Sequence, residues 1–288
     1  MQIGIGLPAT HAETSGKLLL DWARLADKGP FSSLGLIDRL VYHNYEPLIT
    51  LTAAAAVTQR VRLVTTILIG PLRQSGILAK QSATLDAISG GRLTLGLGVG
   101  GREDDFLAAP ASFADRGKHF DEQLEQMERI WAGQPLSEEV GPIGPQPVQA
   151  SGPEILIGGN SPAALKRIAR WGNGFISGGG GPQRAQQAFA QAEAAWKDGG
   201  KPGKPRFVAC SYYGLGEQAQ EHINAYITHY YSFMGPMAQQ LANSVPRTSE
   251  ALRDTVQAFA DNGVDELILW PCIADLDQIH RVADIIAR

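Results

Sequence analysis

Three side chains that can move or hold charge follow an early apolar run. Asp38 and Arg39 are adjacent, and His43 comes four residues later. Because a histidine with an unperturbed pKa of about 6.5 suits proton transfer near neutral pH, His43 is a candidate acid. Asp38 or Glu46 could hold it charged, and Arg39 could stabilise developing negative charge. The same residues are compatible with a loop ion pair beside an exposed histidine, and His11 is a weaker candidate for proton transfer.

A second group of residues could bind an anion through the backbone. In Gly158-Gly159-Asn160-Ser161-Pro162, proline suits the first position of a helix, which makes Ser161 the predicted N-cap. The amides of Ala163 and Ala164 would then point out of the helix start, where the positive end of the helix dipole lies. This pattern favours a phosphate site, although the residues could serve only as a cap.

Glycine is frequent directly after the predicted strands, as at Gly98, Gly100, Gly158, Gly159, Gly178 and Gly179. Glycine permits close approach of a ligand to the backbone, so this frequency favours a large flat or phosphorylated ligand over simple turns. The run from Gly96 to Gly101 matches G-x-G-x-x-G, but a dinucleotide site needs a helix to begin at its third glycine. The next clear helical pattern begins near Asp115. We therefore interpret these glycines as thinning the strand wall beside a ring system.

The motifs of several other protein classes are missing. The sequence has no H-x-x-x-H or C-x-x-C metal motif and no G-x-S-x-G hydrolase motif. The formal net charge of −4, without a basic block, disfavours nucleic-acid binding. No run reaches the roughly 18 apolar residues of a membrane span, and the first residues do not resemble a signal peptide. Cys210 and Cys272 lie in apolar runs and are expected to be buried and reduced, which favours a cytoplasmic location.

Short apolar runs alternate with amphipathic stretches along the chain. The predicted strands are apolar on consecutive positions, as in a parallel sheet covered by helices, and comprise residues 2–8, 33–38, 61–70, 93–100, 154–159, 174–178, 206–213 and 266–272. The predicted helices comprise residues 18–28, 47–59, 77–88, 115–131, 162–171, 182–196, 250–262 and 276–287. This order predicts an α/β fold, a (β/α)8 TIM barrel in one domain of residues 1–288. A doubly wound sheet is the alternative, although it usually has fewer strands.

Two segments are longer than a barrel requires. Residues 133–153 follow the fourth strand and its helix, and residues 214–247 follow the seventh strand and carry His222 and His229. Long connections in a compact domain are usually lids or binding loops. Because barrel enzymes place their chemistry at the C-terminal ends of the strands, the residues singled out above are expected to meet there.

Four stretches resemble one known family. Residues 61–101, VRLVTTILIGPLRQSGILAKQSATLDAISGGRLTLGLGVGG, resemble the signature of the bacterial-luciferase-like flavin- and F420-dependent oxidoreductases. SLGLIDRL at residues 33–40 resembles the family's second strand. EILIGGNSPAALKRIARWGNGF resembles its phosphate segment, and GVDELILWPCIADLDQI resembles its last strand and helix. Together these stretches span most of the chain.

This resemblance implies a (β/α)8 barrel, usually a homodimer, that binds FMN or the deazaflavin F420 together with a small organic substrate. It also implies a non-prolyl cis peptide at or beside Thr66-Ile67 that supports the cofactor ring. The cofactor phosphate would contact Asn160 and Ser161 and the amides of Ala163 and Ala164.

Two positions depart from the family pattern. Many of its F420 enzymes place histidine directly after the aspartate of the second strand, where this chain has Arg39. His43 could supply the proton instead, or the chemistry could need none. Luciferases place an arginine on the FMN phosphate where this chain has Val99, which mildly favours F420 over FMN.

The expected function is hydride transfer between F420 or FMN and a small organic substrate. Three alternatives remain open at this point. The first is an FMN-dependent monooxygenase that uses reduced flavin and oxygen. The second is a catalytically idle flavin-binding member of the family, and the third is an unrelated phosphate-handling barrel enzyme such as an isomerase.

The predicted second helix suggests a homodimer. Leu48, Leu51, the alanines at 53–56 and Val57 form a broader apolar surface than one barrel-facing stripe requires. The small alanines would let a partner helix approach closely. Packing against neighbouring helices of the same chain is the alternative.

Overall fold

In the computed structural model, which describes residues 1–287, parallel strands close into a barrel. The strands are β1 Gln2–Gly6, β2 Ser33–Leu36, β3 Arg62–Thr65, β4 Leu68–Ile69, β5 Leu93–Gly98, β6 Glu154–Gly158, β7 Gly174–Ser177, β8 Arg206–Tyr213 and β9 Glu266–Pro271. Because β3 and β4 are two halves of one barrel strand, the barrel has eight strands. The predicted (β/α)8 fold is therefore confirmed.

The third barrel strand is interrupted near its middle. We predicted one continuous strand over residues 61–70, but the chain leaves the ladder between Thr65 and Leu68. The Thr66-Ile67 peptide is cis, at the position that the family resemblance implied. The barrel still closes, because β5 pairs with both halves: Leu93 lies opposite Leu63, and Leu97 lies opposite Leu68.

Helices surround the barrel. They are α1 Gly16–Lys28, α2 Pro47–Ala55, α3 Ser75–Ser89, α4 Glu103–Leu107, α5 Arg116–Trp131, α6 Pro162–Arg170, α7 Gly181–Asp198, α8 Ala219–Tyr230, α9 Pro236–Ser244, α10 Ser249–Asp261 and α11 Asp277–Ile286. The eight predicted helices form with shifted ends, whereas α4, α8 and α9 were not predicted. Within residues 1–287, no helix is long and apolar enough to cross a membrane.

The apolar core has two layers. The larger layer lies between the strands and the helices and includes the fully buried Trp22 and Phe31. The second layer fills the barrel interior with side chains such as Val64 and Ile268. Cys210 lies in this interior layer, and both it and Cys272 are buried and free, as expected. Burial raises the pKa of both thiols, so they remain protonated at neutral pH.

Residues 214–247 fold into α8 and α9 over the C-terminal ends of the strands, which we call the barrel mouth. Tyr226 of α8 shares a hydrogen bond of 2.7 Å with Thr10, which follows β1. Its ring also stacks on His11 at 4.4 Å. This segment, hereafter the lid, covers the mouth as the sequence analysis expected for a long connection.

Residues 133–153 do not cover the mouth, so that expectation was wrong. They lead from α5 back to β6, and such helix-to-strand connections return to the N-terminal ends of the strands. The segment runs along α3, where Lys80 Nζ donates to the Gly144 carbonyl at 2.6 Å. Val148 N donates to the buried Asp86 carboxylate at 2.8 Å. These contacts hold the segment against the side of the barrel.

The close approach of β5 to β3 gives a test of the fold. A Cβ on Gly96 would lie 2.1 Å from the Thr65 carbonyl oxygen, and backbone cannot easily move aside. We expect Gly96→Ala to lower the free energy of unfolding in urea by about 2 kcal/mol or more. Gly16→Ala is the matched control, because no atom lies within 4 Å of its Cβ position at the start of α1. Equal stability of the two variants would contradict the close approach.

Candidate active site at the barrel mouth

The Thr66-Ile67 peptide lies at the mouth, at the end of β3. Thr66 N donates to the Leu36 carbonyl at 2.7 Å, and Thr66 Oγ1 accepts from Trp270 Nε1 at 3.0 Å. Thr66 is buried between β2 and β9 by these two bonds, whereas Ile67 is only half-buried. The peptide is thus fixed by contacts from β2 and β9, and the half-buried Ile67 lies at the mouth.

The glycines beside this peptide make room for isoleucine side chains. A Cβ on Gly158 would lie 2.4 Å from Ile67 Cδ1, and a Cβ on Gly98 would lie 3.2 Å from Ile67 Cγ2. A Cβ on Gly100 would meet Ile69 Cγ2 at 2.7 Å. Ile67 and Ile69 occupy the space that a side chain at these glycines would take. A contact between these backbones and a cofactor stays a prediction.

The predicted N-cap of α6 is present. Ser161 Oγ accepts from Ala164 N at 3.2 Å, and Pro162 occupies the first turn. Because the cap uses the amide of Ala164, one of the two expected free amides is occupied. The exposed amide of Ala163 keeps no backbone partner within residues 1–287. The helix start therefore offers one free N–H, the helix dipole and the exposed side chain of Asn160.

A cavity of about 470 Å³ along α7 is lined by residues from both the loop after β7 and the loop before α6. Asn160, Gly180 and Arg184 of α7 line the cavity. Gly180 has φ of +139°, a conformation that other residues rarely adopt. No atom lies within 4 Å of a Cβ placed on Gly178, and one placed on Gly179 would meet only the Tyr212 ring at 3.7–3.9 Å. The predicted phosphate segment and the glycine loop after β7 thus border the same cavity.

Sequence reasoning missed Arg184. The residue is exposed and lies in the first turns of α7, directly after the glycines of the β7 loop. The sequence did carry a signal for Arg184, because a cation that closely follows a glycine-rich loop could help to bind an anion there. Its place beside Asn160 became evident only from the packing of α7 against α6.

Asp38 has a structural partner other than His43. Its buried carboxylate accepts from Ile69 N at 2.8 Å and from Arg73 Nη1 at 2.7 Å. Arg73 also donates to Glu46 at 3.0 Å. Burial lowers the pKa of Arg73, but the two carboxylates more than offset this and raise it overall. The expectation that Asp38 or Glu46 would hold His43 charged was therefore wrong, because Arg73 takes both carboxylates.

His43 lies exposed at the mouth and faces the lid. Its ring lies nearly parallel to that of His229, with centroids 6.1 Å apart. Tyr42 shares a hydrogen bond of 2.8 Å with His229 Nδ1. His43 is thus free of carboxylate partners among the described residues and lies where the lid meets the loop after β2.

His11 is held more firmly. Its Nε2 lies 3.1 Å from the Pro271 carbonyl, and its ring stacks on Tyr226. Burial lowers the pKa of His11, and nearby His222 lowers it further, against the opposing effect of the Pro271 contact. His11 is therefore neutral at pH 7, which suits a fixed contact of the lid better than a proton donor.

Arg39 is buried in an acidic clamp that the sequence analysis did not find. Its Nε donates to Asp105 at 2.7 Å, and its Nη2 donates to Asp104 at 2.9 Å. Asp105 is fully buried and also accepts from the amides of Leu40 and Val41. The Asp104-Asp105 pair after the fourth strand was a signal that could have pointed to a partner for Arg39.

Tyrosines crowd the contact between the lid and the barrel, and these were also missed. Tyr212 and Tyr231 share a hydrogen bond of 3.0 Å, and Tyr226 and Tyr230 pack beside them. Burial raises the pKa of all four phenols, so they are neutral at pH 7 and can donate hydrogen bonds. Over the described range, no group of three or more His, Cys, Asp or Glu residues is placed to bind a metal ion.

Comparison of the sequence with protein families and curated proteins gives consistent matches. Residues 1–280 match the family described as luciferase-like monooxygenase. An uncharacterized protein of Mycobacterium tuberculosis is 31% identical over 223 residues, which cover 66% of this chain and 75% of the relative. An F420-dependent glucose-6-phosphate dehydrogenase of Beutenbergia cavernae is 28% identical over 189 residues, which cover 60% of this chain and 55% of that enzyme.

Solved structures match the fold over the full length. A monooxygenase from Streptomyces bottropensis is 24% identical with a TM-score of 0.78, covering 100% of this chain and 98% of that one. An F420-dependent secondary alcohol dehydrogenase in complex with an F420-acetone adduct is 18% identical with a TM-score of 0.79, covering 99% and 98%. Since the family match extends over nearly all of the sequence and the barrel agrees with it, the chain belongs to the luciferase-like monooxygenase family.

Proposed function

We propose that this protein is an oxidoreductase that transfers hydride between F420 or FMN and a small organic substrate, with F420 favoured. One observation carries the proposal. The half-buried Ile67, with Thr66 fixed behind it by Trp270, shares the barrel mouth with the Ser161-capped start of α6 and with Arg184. A flat ring joined to a phosphate would use an apolar support such as Ile67 together with a helix start and a cation. A curated relative named as an F420-dependent dehydrogenase supports F420.

The residues fit such a cofactor. Ile67 is half-exposed at the mouth and could support a ring, with Thr66 fixed behind it. The open space beside Gly178 and Gly179 leaves room for a chain leading to the phosphate. The phosphate would lie against Asn160, Ser161 and the Ala163 amide, with Ala164 completing the cap and Arg184 facing them. The other predicted contacts are the backbones of Gly98, Gly100, Gly158 and Gly159.

The absence of arginine at Val99 favours F420 over FMN in this proposal. The side chain of Val99 is only half-buried, packs against the core and offers no charge to a phosphate after β5. The anion-binding features lie instead after β6 and β7. The FMN-dependent monooxygenase remains the second candidate.

When bound, the cofactor supplies the hydride chemistry, and the protein supplies orientation and a dry site. The lid would exclude water from the mouth, since its Tyr226 and Tyr230 are buried against the barrel. Arg39 would stabilise negative charge that develops on the substrate. Asp38 acts indirectly, because its carboxylate fixes Ile69 directly after the cis peptide. His43 would donate the proton that the substrate needs.

Cofactor titration tests the proposal, with Ser161→Glu as the diagnostic variant. We expect the purified protein to bind F420 or FMN, measured by the change in cofactor fluorescence. A carboxylate at position 161 would repel the phosphate, so affinity should fall by about tenfold or more. Because glutamate can still occupy a helix N-terminus, the fold should survive.

Ser15→Glu is the matched control for this experiment. Ser15 also caps its helix, accepting from Leu18 N at 3.2 Å, but it lies after β1, across the barrel from β6. Its affinity should match that of the wild-type protein. Binding of neither cofactor would reject the proposed function. Equal affinities of the two variants would place the phosphate elsewhere, and Gly178–Gly181 would be the next candidate.

A second prediction concerns proton transfer by His43. If the reaction uses general acid catalysis, His43→Asn should lower kcat about 10²-fold with little change in cofactor affinity. His280→Asn, an exposed substitution on α11, is the control and should turn over normally. Steady-state oxidation of the reduced cofactor by an enone, across neutral pH, gives the measurement. Normal turnover of His43→Asn would leave this residue without a catalytic role.

We also propose that the protein is a homodimer through the outer face of α2 and α3. Leu48 and Leu51 face the barrel, but Ile49 is 70% exposed, and Ala53 and Ala56 lie on the same exposed side. Ile77 of the adjacent α3 is 57% exposed. An apolar face of small and branched side chains would pack against the same face of a second copy.

Sedimentation velocity tests the dimer. We expect the wild-type protein to sediment as a dimer and Ala53→Arg to sediment as a monomer, because two arginines would face each other across the two-fold axis. Ala190→Arg introduces the same change at an exposed alanine of α7 and should leave the dimer intact. A monomeric wild-type protein at working concentration would reject the proposal.

A further inference from the structure

The guanidinium of Arg39 keeps one buried nitrogen without a partner. Its Nε and Nη2 are used by Asp105 and Asp104, but Nη1 is buried and forms no hydrogen bond. The residue as a whole is 7% exposed. A buried N–H group without an acceptor is costly, and such groups are rare unless a ligand or water satisfies them.

A second cation lies next to this nitrogen. The Arg39 guanidinium lies 5.9 Å from the centre of the Tyr42 ring, that ring packs on Tyr230 at 4.9 Å, and Arg102 lies 4.9 Å from the centre of the Tyr230 ring. In agreement with this placement, burial lowers the pKa of Arg102 and the charge of Arg39 lowers it further. Among residues 1–287, no carboxylate lies within 4.0 Å of the Arg102 side chain. The loops after the second and fourth barrel strands thus bring to the mouth one free buried N–H donor of Arg39 and one guanidinium, that of Arg102, without a carboxylate partner in the described range.

Arg102 also joins this point to the lid. Its Nη2 donates to the Tyr230 carbonyl at 2.8 Å, at the end of α8. The guanidinium lies 4.0 Å from the centre of the Phe233 ring and 4.9 Å from that of Tyr230. Tyr42 lies 5.9 Å from the Arg39 guanidinium on the other side. The two charges are therefore bordered by aromatic rings that would contact the apolar part of a ligand.

The acidic residues here do not compete with such a ligand. Asp105 is saturated by Arg39 and two backbone amides. Asp104 is half-exposed and bonds to Nη2 rather than to the free nitrogen. Two arginines and two aspartates sum to zero charge. A single negative charge is therefore accommodated more easily than a doubly charged phosphate.

We infer that Arg39 and Arg102 bind the carboxylate of the substrate, so that this protein acts on small organic acids with an apolar body. That the bound acid is a substrate rests on the proposed function. The carboxylate site itself rests on the contacts described above. Arg39 directly follows Asp38, which fixes the chain beside the cis peptide. A carboxylate on Arg39 would thus place the rest of the molecule next to the proposed ring position.

Calorimetric titration with matched acids and amides tests this site. Benzoate and hexanoate have nearly the same shape as benzamide and hexanamide but carry a charge. We expect at least one acid to bind about tenfold or more tightly than its amide, because only the acid makes charge-assisted hydrogen bonds to arginine. The titrations use the full chain, both as purified and with the cofactor added.

Two variants and one control locate the binding. Arg102→Gln removes one charge, and Arg39→Lys keeps the charge beside buried Asp105 but removes the free guanidinium nitrogen. Each should weaken acid binding about tenfold or more. Arg24→Gln removes an equal charge from the exposed face of α1 and should bind the acid as the wild-type protein does.

The outcomes separate this inference from the proposed function. Acid binding that both variants weaken, in a protein that binds no cofactor, would support the carboxylate site while rejecting the oxidoreductase. Equal affinity for acid and amide, binding of neither, or unchanged acid affinity in either variant would overturn the site. Displacement of the acid by a lower concentration of inorganic phosphate would overturn its assignment to carboxylates.

Discussion

The buried carboxylate of Asp38 holds the mouth together. It accepts from Ile69 N, in the second half of the interrupted third strand, and from Arg73, which also bonds to Glu46 at the start of α2. One side chain thereby ties the end of β2 to β4 and, through Arg73, to the next helix. A charge this deeply buried is stable only with such partners. The platform at Ile67 and the direction of Arg39 both depend on this pairing.

The mouth has two chemically different sides. One side, after β6 and β7, offers a helix start, an open glycine loop and Arg184. The other side, after β2 and β5, holds Arg39 and Arg102 beneath aromatic rings of the lid. A cofactor with a phosphate at one end suits the first side, and an anionic substrate suits the second. The two ligands would then meet over Ile67.

Several residues of the barrel mouth form hydrogen bonds with the lid. Tyr226 bonds to Thr10, the Tyr230 carbonyl accepts from Arg102, and His229 bonds to Tyr42. These contacts connect the lid to the loops after three different strands. The position of α8 over the mouth therefore depends on residues that follow β1, β2 and β5.

The sequence alone determined the barrel, because consecutive apolar runs and amphipathic helices are local patterns that strand burial on both faces imposes. It also determined the Ser161 cap, which depends on residues within one helical turn. The special backbone at Thr66-Ile67 was predicted from the family resemblance, because no local sequence pattern distinguishes these two residues. Only the tertiary structure decided the partners of the charged groups. Arg73 forms an ion pair with Asp38 and Arg39 forms one with Asp105, across separations of 35 and 66 residues in the sequence. Such pairings depend on which strand ends become neighbours after closure, and residue spacing does not encode that geometry.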